Sequence, residues 1–307
     1  MKKIFLILSL LIIASAACDV SVNIAPTSDV PTAEVSTAAA TPVRVIDPPT
    51  PTPEVFISLT QAIPATIVPT IAQPVEVSVD PLTISLSPVL ASGVRGIQVP
   101  RAEGQDLPYW ELTPGHTILK LEGYPLQGKF QEPQIYIYPA LGYAQLVPGA
   151  FESMHRLRNV MNAPGAASVD QLPAVPFFNA AQVFASNFQV ISFQNGDGVR
   201  FLTEYAQYPA PVNNHDLFYH FQGFSNDGEY YIVAIFPITA PVLAETSDAG
   251  ATLPPGGVPY PLMADPEANM QSYYAALTDL LNATPAEAFT PTINQLDLLI
   301  QSMRITP

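Results

Sequence analysis

The residues of this 307-residue chain with chemistry to offer are four histidines, His116, His155, His215 and His220, and a scatter of carboxylates. Zinc-type binding needs HExxH spacing or several cysteines. None of the histidines stands in such spacing and the chain has one Cys, so neither a metal nor a cofactor is expected. Gly123 to Lys129 reads GYPLQGK, the spacing of a phosphate-binding loop. There Phe130 replaces the hydroxyl that would hold magnesium, Pro125 removes a backbone donor, and Pro133 follows before any helix start. The segment is therefore expected to be a turn between strands. GFSNDG, from Gly223 to Gly228, lies between two strand signals rather than at a strand-to-helix elbow, which makes Ser225 a turn residue and not a nucleophile. The acid-bearing turns 195–198 and 226–229 lack the twelve-residue calcium-loop pattern, and hairpin geometry explains them. Glu204, Asp216 and Asp227 form a carboxylate pair of the glycoside-cleaving kind only if folding brings two of them together, and no residue is assigned as catalytic.

The ligand-binding candidates are Arg200, His220, Gln222 and Tyr260. Arg200 is the only basic residue between Arg158 and Arg304; it either pairs with Glu204 on the same strand face or meets an anionic ligand. His220 alternates with Phe218 and Gln222, so it lines a cleft or sits satisfied in the core. Tyr260 belongs to a Pro/Gly-rich segment, 239–264, that either packs on the surface as an insertion or covers a groove beside His220.

These residues need strands and helices to position them. Phe188–Gln194 and Val199–Ala206 alternate around the turn 195–198, predicting a hairpin, and Leu217–Phe224 with Glu229–Phe236 predicts a second. Tyr230–Phe236 is apolar on both alternating faces, so it is expected to be central and covered on both sides. Thr117–Tyr124 and Gln134–Tyr138 look like further strands, with Leu82–Leu86 the earliest. Asp265-Pro266-Glu267 announces a helix to about Asn282, and Thr290-Pro291 announces another carrying Ile293, Leu296, Leu299, Ile300 and Met303 on one face. A third helix is expected over 149–162, with Phe151, Met154, Leu157 and Met161 inward. The expected fold is α+β, an antiparallel sheet covered by C-terminal helices, with an α/β/α sandwich as its fuller form.

Ahead of this lies a different composition. All 16 glycines stand at Gly93 or later, whereas the stretch from Asp19 to about Val79 is dense in Pro, Thr, Ala and Val. Prolines hold such a chain extended, so a disordered Pro/Thr-rich stalk is expected over 18–81 and a folded domain over 82–307. With 11 basic against 26 acidic residues the formal charge is −15, a surface repelled by phosphates, so nucleic acid is excluded as a partner.

Lys2 and Lys3, the apolar run Ile4–Ile13, and then Ala14, Ser15, Ala16, Ala17 and Cys18 together resemble a bacterial lipoprotein signal. The apolar run is too short to span ~30 Å of hydrocarbon, so it reads as a signal peptide over 1–17. Ser15 departs from the branched aliphatic residue usual three places before the cysteine; the alternative is ordinary cleavage after Ala17 with a free thiol. The resemblance implies lipid on Cys18 and an anchor at the extracytoplasmic face of the cell membrane. Asp19 resembles the signal that retains lipoproteins at the inner membrane of two-membrane bacteria.

Phe193 to Gln207, FQNGDGVRFLTEYAQ, and Pro211 to Pro237, PVNNHDLFYHFQGFSNDGEYYIVAIFP, resemble an uncharacterised family of bacterial exported lipoproteins, over about Leu82 to Pro241. That resemblance implies a domain and carries no activity. The sheet with terminal helices also resembles the PsbP/Mog1 class of sandwich, a likeness of fold from which no function follows. The expectation is a tethered, non-enzymatic binding module for an envelope protein, polymer or small ligand; the alternative is an extracytoplasmic hydrolase acting on glycan or peptide.

Overall fold

In the chain's computed structural model, residues 73–165, 168–248, 250–261 and 269–306 are described. The signal segment, Cys18 and nearly all of the expected stalk lie outside the described residues, as does Asp265-Pro266-Glu267. Ten strands follow in order: β1 (Val75–Val79), β2 (Leu82–Leu86), β3 (Gly93–Val99), β4 (His116–Glu122), β5 (Gln134–Pro139), β6 (Ala181–Phe193), β7 (Gly196–Ala206), β8 (Phe218–Ser225), β9 (Tyr230–Pro237) and β10 (Arg304–Ile305). The helices are α1 (Ala140–Leu146), α2 (Pro148–Asn162), α3 (Met270–Ala283) and α4 (Ile293–Ser302). A seven-stranded antiparallel sheet runs β3-β4-β5-β9-β8-β7-β6, and a three-stranded antiparallel sheet runs β1-β2-β10.

The alternation of β9 sets the layers. Tyr231, Val233 and Ile235 pack with Tyr143, Met154 and Leu157 of the α1–α2 layer. Ile232, Ala234 and Phe236 point the other way, into a core shared with Leu277 and Leu281 of α3, Leu296 and Ile300 of α4, and Ile84 of β2. Both faces of the central strand are thus dry, as its unbroken apolar run predicts. The architecture is α+β, with helices on both sides of the large sheet. Among the described residues no helix is long and apolar enough to cross a membrane.

Several elements differ from expectation, each for a physical reason. Among the described residues the first strand is β1, ahead of the boundary placed at residue 82; its alternation Val75, Val77, Val79 is hidden in proline-rich surroundings. The first hairpin turns at Gln194-Asn195, with Phe193 facing Gly196 across the pair, not at 195–198. Gly196 and Gly198 belong to the strand because aromatic rings lie across them: a Cβ at Gly196 would stand 2.0 Å from the Phe193 ring, and one at Gly198 would stand 2.5 Å from that of Phe221. Asn269 caps α3 by accepting from Ser272 N, and Thr292, in a capping box with Gln295, caps α4 in place of the expected Thr290. In α2, Met154 and Leu157 are buried, but Phe151 is 58 % exposed instead of inward. The edge strand β3 and the uncapped α1 carry no sequence signal strong enough to announce them.

Candidate functional site

The β7–β8 connection is where polar groups gather. It is shaped by two adjacent buried amides, Asn213 and Asn214. Asn213 Oδ1 accepts the backbone N–H groups of His215 (2.9 Å) and Asp216 (3.2 Å), an Asx turn that reverses the chain into β8. Asn214 Nδ2 donates to the carbonyls of Ala240 (3.1 Å) and Leu243 (3.2 Å), while its Oδ1 accepts from Ala240 N (2.8 Å), fastening this loop to the segment after β9.

The Asn213 amide also gathers two carboxyls. Its Nδ2 donates to Asp216 Oδ2 at 2.9 Å and lies 3.5 Å from Glu204 Oε2, which in turn accepts from Asn213 N at 3.1 Å. Asp216 Oδ1 meets His215 Nδ1 at 2.6 Å. Glu204 stands on β7 with 1 % exposure, and burial pushes its pKa up to about 9; the Asn213 N–H opposes this and the nearby Asp216 charge adds to it. At neutral pH Glu204 is therefore a neutral acid, able to donate a hydrogen bond as well as accept one.

Glu204 and Asp216 both line one cleft of about 570 Å³, together with Phe130, Phe177, Phe178, Tyr205 and Tyr208. Tyr208 is 71 % exposed and Phe130 64 %, so two aromatic rings stand in water at its rim. Among its described lining residues there is no Lys or Arg. Such a cleft offers flat apolar faces, side-chain amides and two carboxyl groups, and it offers nothing to neutralise an anion.

The four ligand-binding candidates do not converge. Arg200 is buried and clasps α4: its Nε and Nη2 reach the two Asp297 carboxylate oxygens at 3.0 Å each, Tyr219 OH donates to Asp297 Oδ1 at 2.8 Å, and Asn187 O and Gln189 Oε1 accept two more of its N–H groups. The partner expected on β7, Glu204, is instead held by Asn213; a residue 97 positions away outcompetes a neighbour on the same strand. His220 is fully buried, 4.7 Å from the Phe201 ring and 5.8 Å from that of Phe218, and does not line a cleft. Gln222, also fully buried, donates to Ala174 O and His220 Nε2 (both 2.9 Å) and accepts from Ser153 Oγ (2.9 Å) and Tyr231 OH. The amide donation leaves the ring proton on Nδ1, which has no partner, and burial drives the imidazole pKa down to about 3. Tyr260 donates to Pro209 O (2.9 Å) and packs edge-on against Tyr273 at 5.3 Å. In the described part of 239–264, Ala240 and Leu243 belong to the core, Val242, Val258 and Tyr260 pack against it, Ala244 is bridged to Asn213, and Ser247 lines the cleft.

Of the three acids considered together, Glu204 and Asp216 share the cleft. Asp227 closes the β8–β9 turn by accepting from Ser225 Oγ (2.5 Å) and Glu229 N (3.0 Å), bonds that hold it below its ordinary pKa. No group of three or more His, Cys, Asp or Glu side chains among the described residues is arranged to hold a metal ion. Phe177, Phe178 and Tyr208 escaped the sequence reading because they lie in irregular segments. The signal for Asn213 was present in NNHD, where an Asn three places before an Asp suits an Asx turn. Compared with known proteins, the chain matches no family model, no curated protein and no solved structure.

Proposed function

We propose that this chain is a lipid-tethered, extracytoplasmic binding module, and that its ligand seat is the Glu204–Asp216 cleft, shaped for a neutral, hydroxyl-rich molecule of the sugar type. The observation that carries the reading is the presence, in one cleft, of exposed aromatic rings together with Asp216 and with Glu204, whose burial favours its neutral form. Aromatic faces bury the apolar face of a sugar ring, while carboxyl and amide groups exchange hydrogen bonds with its hydroxyls. The tether is supported by the Lys2–Cys18 pattern alone. Binding rather than turnover is favoured by the burial of Glu204, whose Oε2 is already engaged by Asn213 N.

A second reading, hydrolysis of a glycan, is favoured by one observation: a protonated Glu204 and Asp216 held by a common amide have the division of labour that general acid–base cleavage uses. Titration of the full chain against a panel of soluble neutral saccharides separates the two. Binding without product, weakened by Tyr208→Ala and Asp216→Asn, supports the module. Product release abolished by Glu204→Gln supports the hydrolase. Absence of heat or spectral change with every saccharide overturns both. The tether is checked by mass spectrometry of the membrane-extracted N-terminal peptide, in which an unlipidated Cys18 overturns the anchor.

A further inference from the structure

The cleft does not end at Phe178. A second depression of about 360 Å³ begins on the other side of Phe178, Ala180 and Tyr205, which line both. A third, of about 480 Å³ along α2, shares Glu152, Arg156 and Asp170 with the second. Because each neighbouring pair shares lining residues, the three depressions follow one another along a single track, here called the groove, from Tyr208 to Asn159. Each segment alone lies in the range of roughly 300–1,000 Å³ that a compact small molecule fills.

We propose that the groove seats an extended neutral oligosaccharide, several sugar units lying end to end; this rests on the sugar-type reading of the cleft and lengthens it. Two observations set the chemistry beyond the cleft. In the middle segment, which Gln182 lines, the Gln182 Nε2 is buried with no hydrogen-bond partner, a desolvated donor that a rotation of the side chain towards the groove would let a ligand oxygen satisfy. Along α2 Arg156 Nε is paired with Glu152 at 3.0 Å and Asp170 lines the same segment, so among the described Lys, Arg, Asp and Glu of the groove the acids outnumber the single cation, which disfavours an anionic polymer. Asn159 and Gln171 supply further amides at that end.

Binding of N-acetylglucosamine, its β-1,4 trisaccharide and its hexasaccharide to the full chain by calorimetry tests this. The hexasaccharide is expected to bind at least about tenfold more tightly than the trisaccharide, because only it reaches all three segments. Gln182→Ala and Asn159→Ala are expected to weaken the hexasaccharide about threefold to tenfold each, and Asn159→Ala to leave the trisaccharide unchanged. Tyr208→Ala is expected to weaken both. Circular dichroism and thermal unfolding of each variant separate loss of contact from loss of fold. Equal affinities for the two lengths, with trisaccharide binding intact, overturn the extended groove and leave the cleft standing. Failure of every saccharide overturns the cleft reading as well, and capture of neutral peptides in place of saccharides overturns the ligand class.

Discussion

His220 and Glu204 stand on adjacent paired strands, both almost wholly removed from water and both shifted far from their ordinary titration, yet one belongs to the interior and the other to a cleft. Gln222, Phe201 and Phe218 surround the imidazole, and the bonds of Gln222 run on inward to Ala174, Ser153 and Tyr231. The Glu204 carboxyl accepts from Asn213 N, and Glu204 is among the residues that line the cleft. The comparison teaches that a perturbed pKa marks burial, and that only the arrangement of the next shell separates a structural group from one that can meet a ligand.

The strongest test of the sealed interior is Asp297→Ala. It leaves the Arg200 guanidinium buried without its carboxylate and is expected to cost about 3–5 kcal/mol in urea unfolding, with saccharide binding by the folded fraction unchanged. Loss of cleft binding in that folded fraction would break the separation of the two regions.

Next in size is the acid limb of stability. The imidazole pKa falls on folding from 6.5 to about 3, so its contribution is whole above 6.5 and is lost as the pH drops towards 3. Chemical unfolding against pH is expected to show this decline, on the order of a few kcal/mol, and His220→Leu is expected to flatten it. A decline of the same slope in the variant would place the acid sensitivity elsewhere.

Glu204 predicts the opposite limb. Its pKa rises on folding from 4.5 to about 9, so the stability it contributes is whole below 4.5 and is lost as the pH climbs through about 9. Glu204→Gln, neutral at every pH, is expected to remove that alkaline loss, a gain on the order of a few kcal/mol near pH 9 by the same unfolding measurement. Any loss at neutral pH is expected to be small, since the amide keeps an oxygen facing Asn213 N. An unchanged alkaline limb would show that Glu204 is not the group responsible.

The smallest stability effect belongs to the rim. Tyr208→Ala removes a side chain that stands mostly in water, so its unfolding midpoint is expected to correspond to a change within about 0.5 kcal/mol, while saccharide affinity falls about tenfold. A large loss of stability would instead give Tyr208 a packing role.

Much of the sheet was legible because strand information is local. The strand run Leu217–Phe224 and the two-sided apolar run Tyr230–Phe236 announced β8, β9 and the central place of β9. What stayed illegible is instructive in the same terms. The edge strand β3 is interrupted by Gly96 and Arg95, α1 has no side-chain cap, and the Gly pair after Asn195 reads as a turn until the Phe193 and Phe221 rings are seen to need the space.

The site was legible only as a set of unassigned acids. Arg200 and Glu204 share a strand face and opposite charge, and nothing local says that Asp297 on α4 will take the arginine while an Asn in the next loop takes the glutamate. The sequence by itself determined a chain of short strands with apolar-faced C-terminal helices, since periodicity acts over a few residues. Only the tertiary structure decided which acids meet, because the groups that select them, Asn213 for Glu204 and Asp216, Asp297 for Arg200, and Phe178 between two depressions, reach their partners through sheet order and helix packing and not through spacing along the chain.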